Sequence, residues 1–139
     1  MPKRPFLVTM LAVSVLILTV YNAVRFGTAL AQWDALTVWT PTPGALYIAS
    51  TGLIWTLGLG SVTLALWLGR KWARLTTALT LFLYLSYYWL DRLLFSAQPR
   101  ANWQFVLGLT ILYAVFAALA LNLPGSRKFL SGKRENYDR

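Results

Sequence analysis

The side chains best suited to chemistry in this chain crowd into one stretch, Tyr84-Leu85-Ser86-Tyr87-Tyr88-Trp89-Leu90-Asp91-Arg92. Tyr84, Tyr88 and Asp91 recur at helical spacing and Tyr87 joins them, so on a helix all four share a face. A carboxylate in an apolar setting is costly and turns toward protein or water. Phenols beside it can donate hydrogen bonds to it. The functional expectation is a polar pocket built from Tyr84, Tyr87, Tyr88, Asp91 and Arg92, with Arg25 as a second cation. Such a pocket suits a lipid head group, a quinone-like ring or a small amphiphile. The structural alternative pairs Asp91 with Arg25 or Arg92 near a helix end, among aromatic residues that sit at a membrane interface.

The remaining inventory excludes several chemistries. The 139 residues include no histidine and no cysteine. Thiol and disulfide chemistry, a Ser-His-Asp site, haem held by His or Cys, and an ordinary zinc site are therefore ruled out. No two carboxylates share an apolar segment, so acid–base hydrolysis has no evident machinery. Gly58-Leu59-Gly60 is too short and too apolar for a phosphate loop. A small multidrug transporter would need an acidic residue in the first span, and that span has none. The expectation is a protein that is not an enzyme and holds no metal or cofactor.

The elements that carry these residues are written in the hydropathy. Hydrophobic residues make up 58% of the chain and charged residues 12%, about half the share usual in soluble domains. Four apolar segments stand out, at about 6–24, 44–68, 73–95 and 103–123. Each is long enough to cross a hydrocarbon core of ~30 Å as a helix. The fold class expected is all-α: an antiparallel bundle of four transmembrane helices over residues 1–125, followed by a basic tail, 126–139. Ala29-Leu30-Ala31 resembles a signal-cleavage site, but the first apolar run exceeds a signal core of ~7–15 residues. An uncleaved helix is the expectation.

Local signals set the boundaries. Residues 25–42 form the longest connection, either extending the first helix toward Trp33 or lying in the interface. Pro41 and Pro43 then stop it. Thr42 is placed to cap the second span with Pro43 at its first position, and Gly69 to end it. The very short turn with Arg70, Lys71, Trp72 and Arg74 forces an antiparallel hairpin. Pro99 and Asn102 mark the next connection, with Asn102 as a cap. Pro124-Gly125 closes the fourth span. Small residues Gly52, Gly58 and Gly60 in the second span permit close helix approach, whereas Thr110, Ala114, Ala118 and Asn122 make a small-residue stripe on the fourth. That stripe fits packing within the bundle or an interface to a partner. Ser14, Thr19 and Asn22 give the first helix a polar stripe able to bond across helices.

Charge gives orientation. Net charge is +9, carried in short clusters between apolar runs rather than as a nucleic-acid surface. With both termini inside, Lys3, Arg4, Arg70, Lys71, Arg74, Arg127, Lys128, Lys133, Arg134 and Arg139 are cytoplasmic, and only Arg25, Arg92 and Arg100 face out. The clusters at Arg70, Lys71 and Arg74 and at Arg127, Lys128, Lys133 and Arg134 suit anionic lipid head groups as well as topology. The expected setting is the inner membrane of a prokaryote. The leading functional expectation is an accessory or scaffolding subunit of a membrane complex. The other is a binder or transporter of a lipid or small amphiphile, acting through the third-helix face. Expected partners are membrane lipids and another membrane protein or a second copy of the chain.

Overall fold

An apolar run placed in lipid must satisfy its own backbone N–H and C=O groups, and a helix does this within one segment. The computed structural model describes residues 3–39, 43–96 and 100–131. All its regular structure is helical: α1 (Phe6–Ala31), α2 (Trp33–Trp39), α3 (Ala45–Trp67), α4 (Ala73–Phe95), α5 (Trp103–Asn122) and α6 (Pro124–Leu130). Helices α1, α3 and α5 are long and apolar enough to cross a membrane, which makes this an integral membrane protein. Helix α4 is as long as α3, at 23 residues. It falls short of the same apolar content because Arg74, Asp91 and Arg92 share it with several Thr, Ser and Tyr residues. Composition therefore singles out three helices, not the four expected.

The side-chain contacts give the relative directions. The Arg4 guanidinium lies 4.2 Å over the Trp67 ring, whereas Gly52 abuts Asn22 and Phe26 farther along α1. Thus α1 and α3 run antiparallel, and they form the most extensive helix pair. The short turn reverses α3 into α4. Trp89 meets Thr110 and Arg74 meets Asn122, so α5 runs antiparallel to α4.

Packing is uneven. The core gathers Leu11, Ala12 and Val15 from α1 with Leu59, Val62, Ala65 and Leu66 from α3. Helix α4 adds Ala73, Leu81 and Tyr84, and α5 adds Ala117, Ala120 and Leu121. The α1–α3 seam is tight because small residues line it: Ala45, Ala49 and Gly52 are all buried. A Cβ at Gly52 would stand 3.0 Å from the Phe26 backbone nitrogen and 3.2 Å from the Asn22 carbonyl oxygen. By contrast, Phe105, Leu109, Ile111, Leu112, Val115 and Leu119 on α5 are exposed. On the stripe read from the sequence, Ala114 and Ala118 are exposed too. The face of α5 that packs is the adjacent one, through Ala117, Ala120 and Leu121.

Of the two courses open to residues 25–42, the chain takes the extended first helix, and other boundaries depart from expectation. Helix α1 continues to Ala31, where Gln32 donates back to the Thr28 carbonyl oxygen, and α2 follows at once. Helix α3 starts after Gly44 at φ 84°, so Pro43 sits in the turn and not at the first helical position; Thr42 and Pro99 lie outside the described residues. Asn102 precedes α5 in the left-handed region at φ 52° and makes no side-chain cap. A short amide side chain tolerates that conformation, and the turn uses it instead of the capping bond. Gly69 does end α3. At φ 62° it lets its own N–H reach the Leu66 oxygen and the Arg70 N–H reach the Ala65 oxygen, the paired bonds of a Schellman motif.

Pro124 ends α5 but also begins α6 at a position that needs no N–H. The boundary expected at residue 125 therefore falls inside a helix. Ser126 and Leu130 of α6 are buried, and a Cβ at Gly69 would stand 3.0 Å from the Phe129 ring. Glycine at that turn serves both the backbone and the ring that covers it. Lys133, Arg134 and Arg139 lie outside the described residues.

Candidate functional site

At the end of the molecule away from Lys3 and α6, helices α1, α3 and α4 converge on Asp91. Its Oδ1 accepts a 2.9 Å hydrogen bond from the Tyr47 hydroxyl and lies 4.0 Å from Arg25 Nη2. Arg25 Nη1 donates to the Tyr87 hydroxyl oxygen at 2.7 Å. The side chains of Arg25 and Asp91 are 22% and 30% exposed, so the pair is neither sealed nor freely solvated. One carboxylate, one guanidinium and two phenols thus clasp three helices. Hydrogen bonds to charged groups contribute about 1.5–3 kcal/mol each in partly shielded places.

The phenols do not converge as their spacing suggests. Tyr84 is buried and turns inward, where Asn22 Nδ2 donates to its hydroxyl oxygen at 3.2 Å. Its ring stands edge-on to Trp55 at 5.0 Å. Tyr87 completes the three-ring cluster, 5.3 Å from Trp55 and 6.3 Å from Tyr84, and serves Arg25. Tyr88 turns to Arg92, whose Nη1 donates to it at 3.4 Å, and Arg92 also reaches the Ala101 carbonyl oxygen. Three phenols on one broad helical face thus meet three different partners, Asn22, Arg25 and Arg92. Asp91 receives its phenol from α3 instead.

Tyr47 is the site residue that spacing along α4 could not reveal. The hairpin could have: two antiparallel helices joined by a tight turn bring together residues nearly equidistant from it. Tyr47 and Asp91 satisfy that condition, as do Tyr47 and Phe95, whose rings lie 5.0 Å apart.

An open cleft of about 320 Å³ adjoins the clasp. Arg25, Tyr88, Asp91 and Arg92 supply its polar wall, and Pro43, Ile48 and Phe95 its apolar one. Tyr84 and Tyr87 are not part of it. The cleft thus offers two guanidinium groups, one carboxylate and a hydrophobic floor. That arrangement can hold a small polar head beside a short apolar segment. Among the described residues no three potential metal ligands come together.

At the opposite end, two of the basic residues meet. Arg74 Nη2 and Arg127 Nη2 both donate to Asn122 Oδ1, at 2.6 and 3.4 Å. Arg70, Lys71 and Lys128 are exposed nearby in sequence. Thr110, the other end of the small-residue stripe, accepts a 3.3 Å bond from Trp89 Nε1. No protein-family model, no curated protein and no solved structure matches this chain.

Proposed function

We propose that this is a four-span membrane protein, with both termini on the cytoplasmic side, that binds a lipid or small amphiphile in the Arg25–Asp91 cleft. It acts without covalent chemistry and sits in a prokaryotic inner membrane. The observation that carries the binding reading is the cleft itself. The single carboxylate of the long helices borders an open cavity with one apolar wall and one cationic wall. Helix α4 serves as the fourth span because its charges are confined to its ends. From Arg74 to Asp91 the helix covers about 25 Å at ~1.5 Å per residue, close to the hydrocarbon thickness. The bias of basic residues toward the end with Lys3 and Arg127 supports the orientation.

The test is retention of a bound small molecule. Purified in mild detergent and examined by native mass spectrometry, the wild-type chain is expected to carry a lipid-like mass. Asp91→Asn keeps the shape of the clasp but removes its charge, and is expected to change that occupancy while the protein stays folded. A protein that carries nothing, or a variant that merely misassembles, sinks the binding reading and leaves Asp91 as a structural clasp.

A second reading is favoured by α5. Its large apolar side chains and Ala114 and Ala118 are exposed along the helix. In the accessory-subunit reading this face packs on another membrane protein or on a second copy, and a stoichiometric companion appears in the same spectrum.

A further inference from the structure

Helices α4, α5 and α6 meet at Asn122, the last residue of α5. Its Nδ2 donates to the Ala118 carbonyl oxygen at 2.8 Å. That bond fixes the amide, so Oδ1 is the atom turned toward α4 and α6. Arg74 from α4 and Arg127 from α6 both donate to this oxygen. Two guanidinium groups are thereby drawn onto one neutral acceptor. Neither has a carboxylate partner among the described residues: Asp34 lies in α2 and Asp91 at the far end of α4. Like charges held together on a neutral atom are held against their mutual repulsion. An anion bridging them removes that repulsion, and guanidinium forks match phosphate oxygens two at a time.

The depth of the cluster fits the head-group layer. Asn122 closes an apolar span, and Leu123 and the Trp67 and Trp72 rings nearby in the fold are exposed. Tryptophan favours that layer. We propose that Arg74 and Arg127, gathered on Asn122, clamp the phosphate of an anionic phospholipid in the leaflet facing the termini. The site is separate from the Arg25–Asp91 cleft and does not depend on it.

The full-length protein in mild detergent, given phosphatidylglycerol and phosphatidylcholine together, is expected to retain phosphatidylglycerol preferentially in native mass spectra. Arg74→Lys and Arg127→Lys keep the charge but lose the planar fork, and each should lower that retention about tenfold or more, as expected for loss of a charge-assisted bidentate contact. Lys128→Gln, on α6 and without a bond to Asn122, removes only diffuse attraction and should lower it no more than about fivefold. Equal losses in all three, or none in the lysine variants, would show diffuse attraction and overturn the clamp. Displacement of the lipid by excess inorganic phosphate would assign the site to free phosphate and overturn the lipid source. Asn122→Asp separates binding from folding. A carboxylate there pairs with both guanidinium groups and cancels half of their charge, so lipid retention should fall while thermal stability rises. If both fall together, Asn122 is only a packing residue.

Discussion

Helices α3 and α5 each carry a stripe of small residues, and the molecule treats them in opposite ways. On α3, Ala45, Ala49 and Gly52 are buried against α1, with Gly52 set almost backbone to backbone. On α5, Ala114 and Ala118 are exposed, and the neighbouring Ala117 and Ala120 do the packing. Ala45 and Ala49 stand four residues apart, as do Ala114 and Ala118, so that spacing does not decide burial. What differs is the neighbour. Gly52, with no side chain of its own, lets α1 come close at the Asn22 and Phe26 backbone and the Phe26 Cβ. Helix α5 is held through a few side chains, Trp89 to Thr110 and Arg74 to Asn122 from α4 and Ser14 to Tyr113 from α1, and its outer face is left to solvent or lipid.

The largest effect expected is at Gly52. Gly52→Leu forces side-chain atoms into the α1 backbone and should cost about 3 kcal/mol, the upper range for overpacking. Gly58→Leu and Gly108→Leu should change nothing beyond about 0.5 kcal/mol, because a Cβ there meets no atom within 4 Å. Denaturant unfolding in detergent checks this, and equal effects at the three glycines would erase the contrast between the helices.

Next in size is the clasp that ends the α1–α3 seam. Arg25→Gln and Asp91→Asn should each cost about 2 kcal/mol, and the double variant should recover about 1 kcal/mol relative to additivity. A purely additive cycle would remove the ion pair from the account of how α4 joins that seam.

A smaller loss is expected where α5 is attached. Trp89→Phe removes the donor to Thr110 and should cost about 1 kcal/mol, read as earlier proteolysis or hydrogen exchange in α5 than in α3. Uniform exchange would mean that α5 is as firmly seated as the rest. Smallest of all is the pair Ala114→Leu and Ala118→Leu. The monomer should stay within about 0.5 kcal/mol of the original, while any companion bound at this face is lost from the native mass spectrum.

Helix content and three spans were legible because a long apolar run has few alternatives to a helix in lipid. Gly69 was legible as well, since a helix end followed by charges needs a left-handed residue. The hairpin turn carried the Tyr47–Asp91 pairing implicitly, through its register. Other features depended on tertiary neighbours. Tyr84 and Asp91 share a helical face, yet Asn22 and Arg25 from α1 draw Tyr84 and Tyr87 away from the carboxylate. Helix α6 was hidden because Arg127 and Lys128 make its segment look like a solvated tail, while Ser126, Phe129 and Leu130 do the packing. In the proposed orientation, the side of the membrane follows from charge counts and rests on no contact between helices.

The Arg25–Tyr87 bond has a consequence for how the protein is made. Its two residues are 62 positions apart. At synthesis rates of about 5–20 residues per second, Tyr87 emerges about 3 to 12 seconds after Arg25. Throughout that interval, in the proposed orientation, the first helix holds a cation near the far side of the bilayer with neither its phenol nor its carboxylate yet translated. The nascent chain must park that guanidinium among lipid phosphates or translocase side chains, and release it when the third long helix arrives. Assembly of this small protein is therefore a handover of one positive charge from borrowed ligands to its own.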